Sequence, residues 1–450
     1  MLYEELLMDS STLLKFKLFK KIMFLGSAAY PIAQIATDMD LNYQQTVIDL
    51  TEIDKEMAAM NPDHQSILVG AGKIDSQNLS CTIDEYRYQL LQSSVPFQFI
   101  LYFLNEEKPT IDDFCVKFFS SRSTVSRKID KLKRYLKQFG LRFTYTEAGL
   151  VGDERVARLA LFNIVWLGVR GIEWPFAMDE KIADDLVEGF SAYFPLSRTY
   201  VGRHELKFFA AIFYMRIKKD NFVKYDKAYD FLMRDNDYYD FADRPNSVYL
   251  LAKEYLAFAK QEFFSENPEI LDHPMILGNL INISFGYYVL HHPYPTIQQM
   301  VTSPGESVRN LKQIEEKSEA WFTNAGQRSE FSGFVNATTI QLLARSFTQV
   351  LIPYFDWAKD ADKVKVGVAL EHNYLLVKNL YRYLSDLRFV QAEPFDSNKS
   401  TEYDLTISSS LLLKKRFPNQ EVFLWDHAGD EAQMVALYKR LRKLFTEKNR

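Results

Sequence analysis

Over residues 2–360 the apolar side chains recur mostly three and four positions apart, a spacing that gathers them on one face of an α-helix and predicts a largely helical body. Beyond it the pattern changes. Val364, Val366 and Val368 mark a short β-branched run, and a helical pattern continues to Tyr383. Extended segments follow at 388–392, 403–407 and 421–425, before an amphipathic helix over 430–445. Strands alternating with helices in this way build a small parallel sheet. A chain of 450 residues exceeds what one core organises, so several domains are expected. Joints are read at 61–78, where Pro62, Gly70 and Gly72 surround the apolar run Ile67, Leu68 and Val69 as a wing and linker. Others are read at the Ser303, Pro304, Gly305 turn and at a charged hinge over 359–363.

Two cysteines, Cys81 and Cys115, are too few for a disulfide framework or a zinc site and fit a reducing cytoplasm. Residues 13–25 might pass for a leader or span, but Lys15, Lys17, Lys20 and Lys21 interrupt them, so neither export nor a membrane segment is expected. The net charge of -5 gives no global sign of nucleic-acid binding. Such a function must come from a local concentration of positive charge.

That concentration exists. Thr110, Ile111, Asp112 and Asp113 read as a capping box, with the Thr110 hydroxyl placed to accept from the Asp113 backbone. The helix it starts is expected to run through Phe114, Cys115, Phe118 and Phe119, and the polar residues 120–123 to supply a turn and the cap of a second helix. On that helix Val125, Ile129, Leu132 and Leu136 form one continuous apolar stripe, with Arg127, Lys131 and Arg134 opposite. Between residues 117 and 142 nine bases (Lys117, Arg122, Arg127, Lys128, Lys131, Lys133, Arg134, Lys137 and Arg142) stand against one acid, Asp130. Alternation over 141–146 and a glycine-flanked segment at 148–152 then read as a two-stranded wing.

Helix, turn, basic helix and wing is a DNA-binding order. The second helix lies in the major groove, its first turns reach base edges, and its neighbours hold phosphates. Ser121, Arg122, Ser123, Thr124, Arg127 and Lys128 are the expected reading residues, and Lys131, Arg134 and Arg142 the expected phosphate contacts. A charge run is usually a solvated face; here caps, stripe, wing and charge agree on double-stranded DNA. An earlier segment has the same shape, with a short helix from Pro31, a turn at Asp40, Leu41 and Asn42, and a second helix carrying Val47, Ile48 and Leu50. Gln44 and Gln45 at its start are suited to reading bases, but Asp49, Glu52, Asp54 and Glu56 on that helix would repel phosphates.

The string Ser123, Thr124, Val125, Ser126, Arg127, Lys128, Ile129, Asp130, Lys131, Leu132, followed by Leu150, Val151, Gly152, Asp153, Glu154 and Arg158, resembles the central helix-turn-helix of Mga-type transcriptional regulators of Gram-positive bacteria. The resemblance implies a mainly α multidomain chain of winged helix-turn-helix modules and helical bundles with a small C-terminal α/β domain. In this chain the parts fall at 1–75 (first helix-turn-helix), 76–158 (central winged helix-turn-helix), 159–275 and 276–362 (helical domains of the kind regulated by the sugar phosphotransferase system) and 363–450 (EIIB-like). It also implies control of transcription, often of virulence and carbohydrate genes. Partners would be duplex DNA, the phosphocarrier protein that modifies histidines, a second copy of the chain as homodimer or higher oligomer, and RNA polymerase.

Within the helical middle, His204 at the head of a helix and His273 before Pro274 are the expected phosphoacceptors, while His291 and His292 read as a loop pair. The tail departs from its enzyme relatives. Where a cysteine nucleophile would follow the first strand it has Ala369, Leu370, Glu371, His372 and Asn373, and no cysteine follows Cys115. His372 stands near the nucleophile's position, yet Glu371 beside it would repel phosphate. The tail is therefore read as an oligomerisation or sensing domain, with Met434, Leu437, Leu441 and Leu444 as an apolar seam. No phosphate loop, metal motif or nucleophile context points to catalysis or to a cofactor. Two other readings have a basis in the sequence. An RNA-binding antiterminator would need a β-rich N-terminal module where residues 1–150 read as helical, and a non-catalytic phosphotransferase-like signalling scaffold is favoured by the tail alone.

Overall fold

Asp9, Asn42, Thr82, Thr110, Ser121, Asp153 and Thr199 each stand one residue before a helix, and each side chain accepts a backbone N–H of the first turn. Those N–H groups have no partner within the helix, so the polar residue fixes where it begins. The computed structural model describes residues 3–25, 29–145, 149–191, 199–223, 247–301, 311–355, 362–370, 374–410, 412–426 and 431–449. The turn read at 303–305, most of the hinge, and Glu371 and His372 lie outside them. The chain is mainly α-helical with one small parallel sheet, and its contacts divide it into two compact units. One comprises Met1–Ser303 with Lys317–Val350, the other Pro304–Glu316 with Leu351–Arg450.

The first unit opens with α1 (Tyr3–Leu7), α2 (Ser10–Met23), β1 (Ala29–Pro31), α3 (Ile32–Asp38), α4 (Tyr43–Met60) and β2 (Lys73–Asp75). β1 and β2 pair antiparallel, Tyr30 opposite Ile74. Then come α5 (Ile83–Gln92), α6 (Val95–Asn105), α7 (Ile111–Lys117), α8 (Arg122–Lys128), α9 (Asp130–Lys137), β3 (Arg142–Thr144) and β4 (Gly149–Val151). The helices α10 (Glu154–Val169), α11 (Glu180–Ser191), α12 (Tyr200–Lys218), α13 (Ser247–Glu262), α14 (Pro274–Leu290), α15 (Ile297–Val301), α16 (Leu311–Ala325) and α17 (Ile340–Leu351) follow along the chain. One hydrophobic core runs from Tyr3 through both helix-turn-helix segments to α10 and α12. Among the later helices Tyr255 stacks on Phe322 at 5.2 Å and meets Phe347 edge-on at 4.8 Å.

α10 is buried on nearly all sides, packed against α5 and α12, and its first turn holds a buried ionic cluster. Glu154 Oε1 accepts from Arg158 Nε at 2.8 Å and from Arg216 Nε at 3.0 Å. Arg216 also donates to the Leu150 carbonyl of β4 at 3.1 Å, and Arg158 to the Asn221 carbonyl at 2.8 Å. Glu154 and Arg158, which helped to carry the family resemblance, are therefore structural: they fasten the wing to α10 and α12.

The second unit contains β5 (Val364–Ala369), α18 (Tyr374–Asp386), β6 (Val390–Pro394), β7 (Leu405–Ser408), α19 (Leu412–Arg416), β8 (Val422–Leu424) and α20 (Glu431–Lys448). The strands are all parallel in the order β6-β5-β7-β8, as the alternating pattern predicts. Leu437 and Leu441 of α20 are fully buried in this unit's own core, with Met434 and Leu444 packed beside them. The seam is spent on its own sheet.

Removing the shared carboxylate would leave two buried guanidinium groups uncompensated. Glu154→Ala is expected to destabilise the first unit by about 3–5 kcal/mol, measured by chemical denaturation; a loss below about 1 kcal/mol, typical of an exposed pair, would contradict the burial argument.

Candidate nucleic-acid interface

The central helix-turn-helix starts as read. Thr110 Oγ1 accepts from Asp113 N at 3.1 Å and Ser121 Oγ from Thr124 N at 3.2 Å. Two local features differ. α7 ends at Lys117, and Phe119 lies outside the helix in the left-handed region at φ +48°, 99% exposed. There it makes the turn, while Ser120 N returns to the Cys115 carbonyl at 2.9 Å. The expected single second helix is also two, α8 and α9. They meet at Ile129, whose ψ of 3° departs from the helical value of about −42°. The hydrogen-bond ladder continues through the joint, from Ile129 N to Val125 O and from Lys133 N to Ile129 O. The apolar stripe survives it, with Val125, Ile129, Leu132 and Leu136 all fully buried.

The basic residues differ in their surroundings. Arg127, Lys128 and Lys131 border a cleft whose other wall comes from the N-terminal helices, whereas Arg134 and Lys137 are exposed. Several bases are already engaged. Arg122 clasps Asp112 with two nitrogens, Nε at 2.5 Å, and the guanidinium holds the Asp112 carboxyl below its ordinary range. Arg134 pairs with Asp130 at 3.0 Å, Lys117 with Glu106 at 2.6 Å, and Lys133 donates to Ser126 Oγ at 3.0 Å. Arg127, Lys128, Lys131, Lys137 and Arg142 form no ion pair with a described residue. Arg142 is exposed on β3 opposite Val151. Lys137 is counted in the basic run but is not among the DNA contacts expected from sequence, although it lies one turn beyond Lys133.

Ser121, Arg122, Ser123, Arg127 and Lys128 are exposed and Thr124 half-buried. The Ser121 hydroxyl bonds those of Ser123 and Thr124 at 2.9 Å each. In the first module Gln44 and Gln45 are exposed at the head of α4, and the Gln45 amide donates to Asp49 Oδ1 at 2.8 Å. The acids expected to repel phosphates there are largely used internally. Asp49 is buried, Glu52 and Glu56 pair with Lys15, and Asp54 accepts from Ser66 and contacts His64 at 2.9 Å.

Among the phosphoacceptor candidates, His204 is half-buried in the second turn of α12, with Nδ1 2.8 Å from the Tyr200 carbonyl. A carbonyl can only accept, so Nδ1 carries the proton and Nε2 the free lone pair. His273 is exposed as the cap of α14, and its Nδ1 accepts from Met275 N at 3.2 Å. His291 faces the Gly333 carbonyl at 3.0 Å. His292 Nε2 lies 3.5 Å from Asp153 Oδ2, and that hydrogen bond raises the imidazole pKa. Burial alone would raise the Asp153 carboxyl, but His292 and Arg155 together hold it well below the usual range. Sequence reading missed this junction because its members lie far apart along the chain.

Capped α8, bent α9 and the antiparallel β3–β4 hairpin define a winged helix-turn-helix module. Residues 79–164 match the model of the Mga helix-turn-helix domain, a family of DNA-binding regulators. No curated protein matches the chain. Among the described residues no helix is long and apolar enough to cross a membrane, and no cluster of three or more histidine, cysteine or acidic side chains is placed to hold a metal ion.

A non-glycine residue pays a conformational cost in the left-handed region, and Phe119 recovers nothing by burial. Phe119→Gly is expected to raise stability by about 1 kcal/mol, read as a higher denaturant midpoint at unchanged slope; a lower midpoint would show that the ring makes a stabilising contact.

Proposed function

We propose that this chain is a Mga-type transcriptional regulator that reads duplex DNA with the start of α8. The observation that carries the reading is the group of five bases on α8, α9 and β3 that form no ion pair among the described residues, beside a capped helix start in a segment matching a helix-turn-helix family. Ser121, Arg122, Ser123 and Thr124 face base edges, with Arg122 exchanging Asp112 for DNA. Lys137 and Arg142 hold phosphates along with Arg134, while Arg127, Lys128 and Lys131 follow the backbone along the edge of the cleft. Gln44 and Gln45 make a second, weaker contact, supported by the internal pairing of the acids around them.

The finer reading follows the family resemblance. Residues 159–275 and 276–362 act as the two regulatory helical domains and residues 363–450 as an EIIB-like domain, supported by the parallel order β6-β5-β7-β8. The chain works as a homodimer or higher oligomer, since paired half-sites suit a two-fold reader, and it acts on RNA polymerase. The phosphocarrier protein modifies His204 in preference to His273. Nε2 of His204 is already the nucleophilic nitrogen, whereas His273 uses its lone pair to cap α14 and carries its proton on Nε2.

Binding of mixed-sequence duplex across a salt series tests the DNA reading. Lys137→Ala with Arg142→Ala is expected to lower the slope of log affinity against log salt by about 2 and to weaken all sequences alike. Arg122→Ala is expected to cost about 1–3 kcal/mol on a preferred sequence and to relax that preference. Wild-type slopes unchanged in the double variant would contradict the assignment. Incubation with the phosphocarrier protein and its phosphoryl donors, followed by mass mapping, is expected to label His204 and to leave His273 unmodified; label on His273 alone would overturn the tautomer argument.

A further inference from the structure

A cleft of about 430 Å³ opens between the reading segment and the N-terminal helices, with Arg127, Lys128 and Lys131 on one side. Two acids border it, and both are in use. Asp9 Oδ1 caps α2, accepting from Thr12 N and Ser11 Oγ at 3.0 Å each. Glu56 takes the Lys15 ammonium at 2.5 Å on one oxygen and the Tyr86 hydroxyl at 2.6 Å on the other. Asp9 keeps its charge while capping α2 and lies within electrostatic reach of Lys128, whereas Arg127 and Lys131 face the cleft with no ion pair among the described residues, and Lys131 is half-buried. Like charges brought together at a partly desolvated wall repel, and an anion between them relieves the cost.

The rest of the lining is not that of a bare phosphate site. Leu7, Met8, Val95 and Pro96 supply an apolar wall, and Ser10 and Ser93 add hydroxyls. The volume lies in the range of small-molecule pockets, which pair an apolar surface with a few convergent polar groups. We infer that this cleft binds a small organic phosphate, its phosphoryl oxygens on Arg127, Lys128 and Lys131 and its organic part against Leu7, Met8 and Val95. A bound molecule would bridge α1 and α2 to α8 and α9, so the two helix-turn-helix segments would share one effector. The inference does not depend on DNA binding, although a DNA backbone phosphate has the same chemistry and is the competing source.

The test uses the full chain, melted in separate samples with inorganic pyrophosphate, with adenosine diphosphate at about 5 mM, or with duplex DNA, at ionic strength matched with chloride. The wild type is expected to gain about 2–4 °C with adenosine diphosphate. Lys128→Ala with Lys131→Ala should lose that gain, and Arg134→Ala with Lys137→Ala, which removes the same charge outside the cleft, should keep it. Ser93→Trp blocks the cleft with every charge in place and should also lose the gain, which covers the case of a poorly folded lysine variant. No gain in the wild type, or an equal gain in both double variants, overturns the proposal. So does a gain that depends on Lys128 and Lys131 but appears only in the samples melted with duplex DNA, because these bases would then serve the DNA backbone and no small ligand.

Discussion

Glu154 ties the wing to the helices behind it. It is one carboxylate between two buried guanidinium groups, and neither arginine could stay buried without it. Through Arg216 it reaches the carbonyl of Leu150 in the wing, and through Arg158 the carbonyl of Asn221, shortly after α12. The wing is a short hairpin of three paired positions, too small to be stable alone. This anchor holds it in place together with Phe143 and Leu150, which are buried in the core of the unit.

One residue earlier, Asp153 caps α10 and meets His292 and Arg155, and Arg155 donates to the Val289 carbonyl at the end of α14. The wing, α10, α12 and the segment after α14 thus converge on residues 150–158. A rearrangement among the helices of the first unit would act on the wing through charged hydrogen bonds with fixed geometry. Such bonds are stronger and more directional than contacts between neutral groups.

The parts of the site legible in the sequence are those set by short-range chemistry. Thr110 and Ser121 cap the helices they announce, Val125, Ile129, Leu132 and Leu136 are buried as their spacing requires, and the strands of the tail fall where the β-branched runs are. What escaped the reading depends on distant partners or on a single dihedral angle. Lys15 meets Glu56 across 41 residues and Arg216 meets Glu154 across 62, and neither pairing leaves a local signal. The acids of α4 therefore read as a repulsive face although several are already paired. The bend at Ile129 comes from a change in ψ within an unbroken pattern of spacing, and the cleft that Arg127, Lys128 and Lys131 line is closed by residues far away in the chain. Phe119 occupies a left-handed turn position where glycine or asparagine would have been the recognisable residue.

The account rests on the start of α8, with its flanking bases, being the surface that meets duplex DNA in a chain whose net charge is -5. Hydrogen exchange of the full chain, with and without a mixed-sequence duplex at low salt, addresses that surface residue by residue. The account predicts added protection at residues 121–128 and 142–145, which is lost when salt is raised. Protection confined to α3 and α4, or to the C-terminal unit, would contradict it.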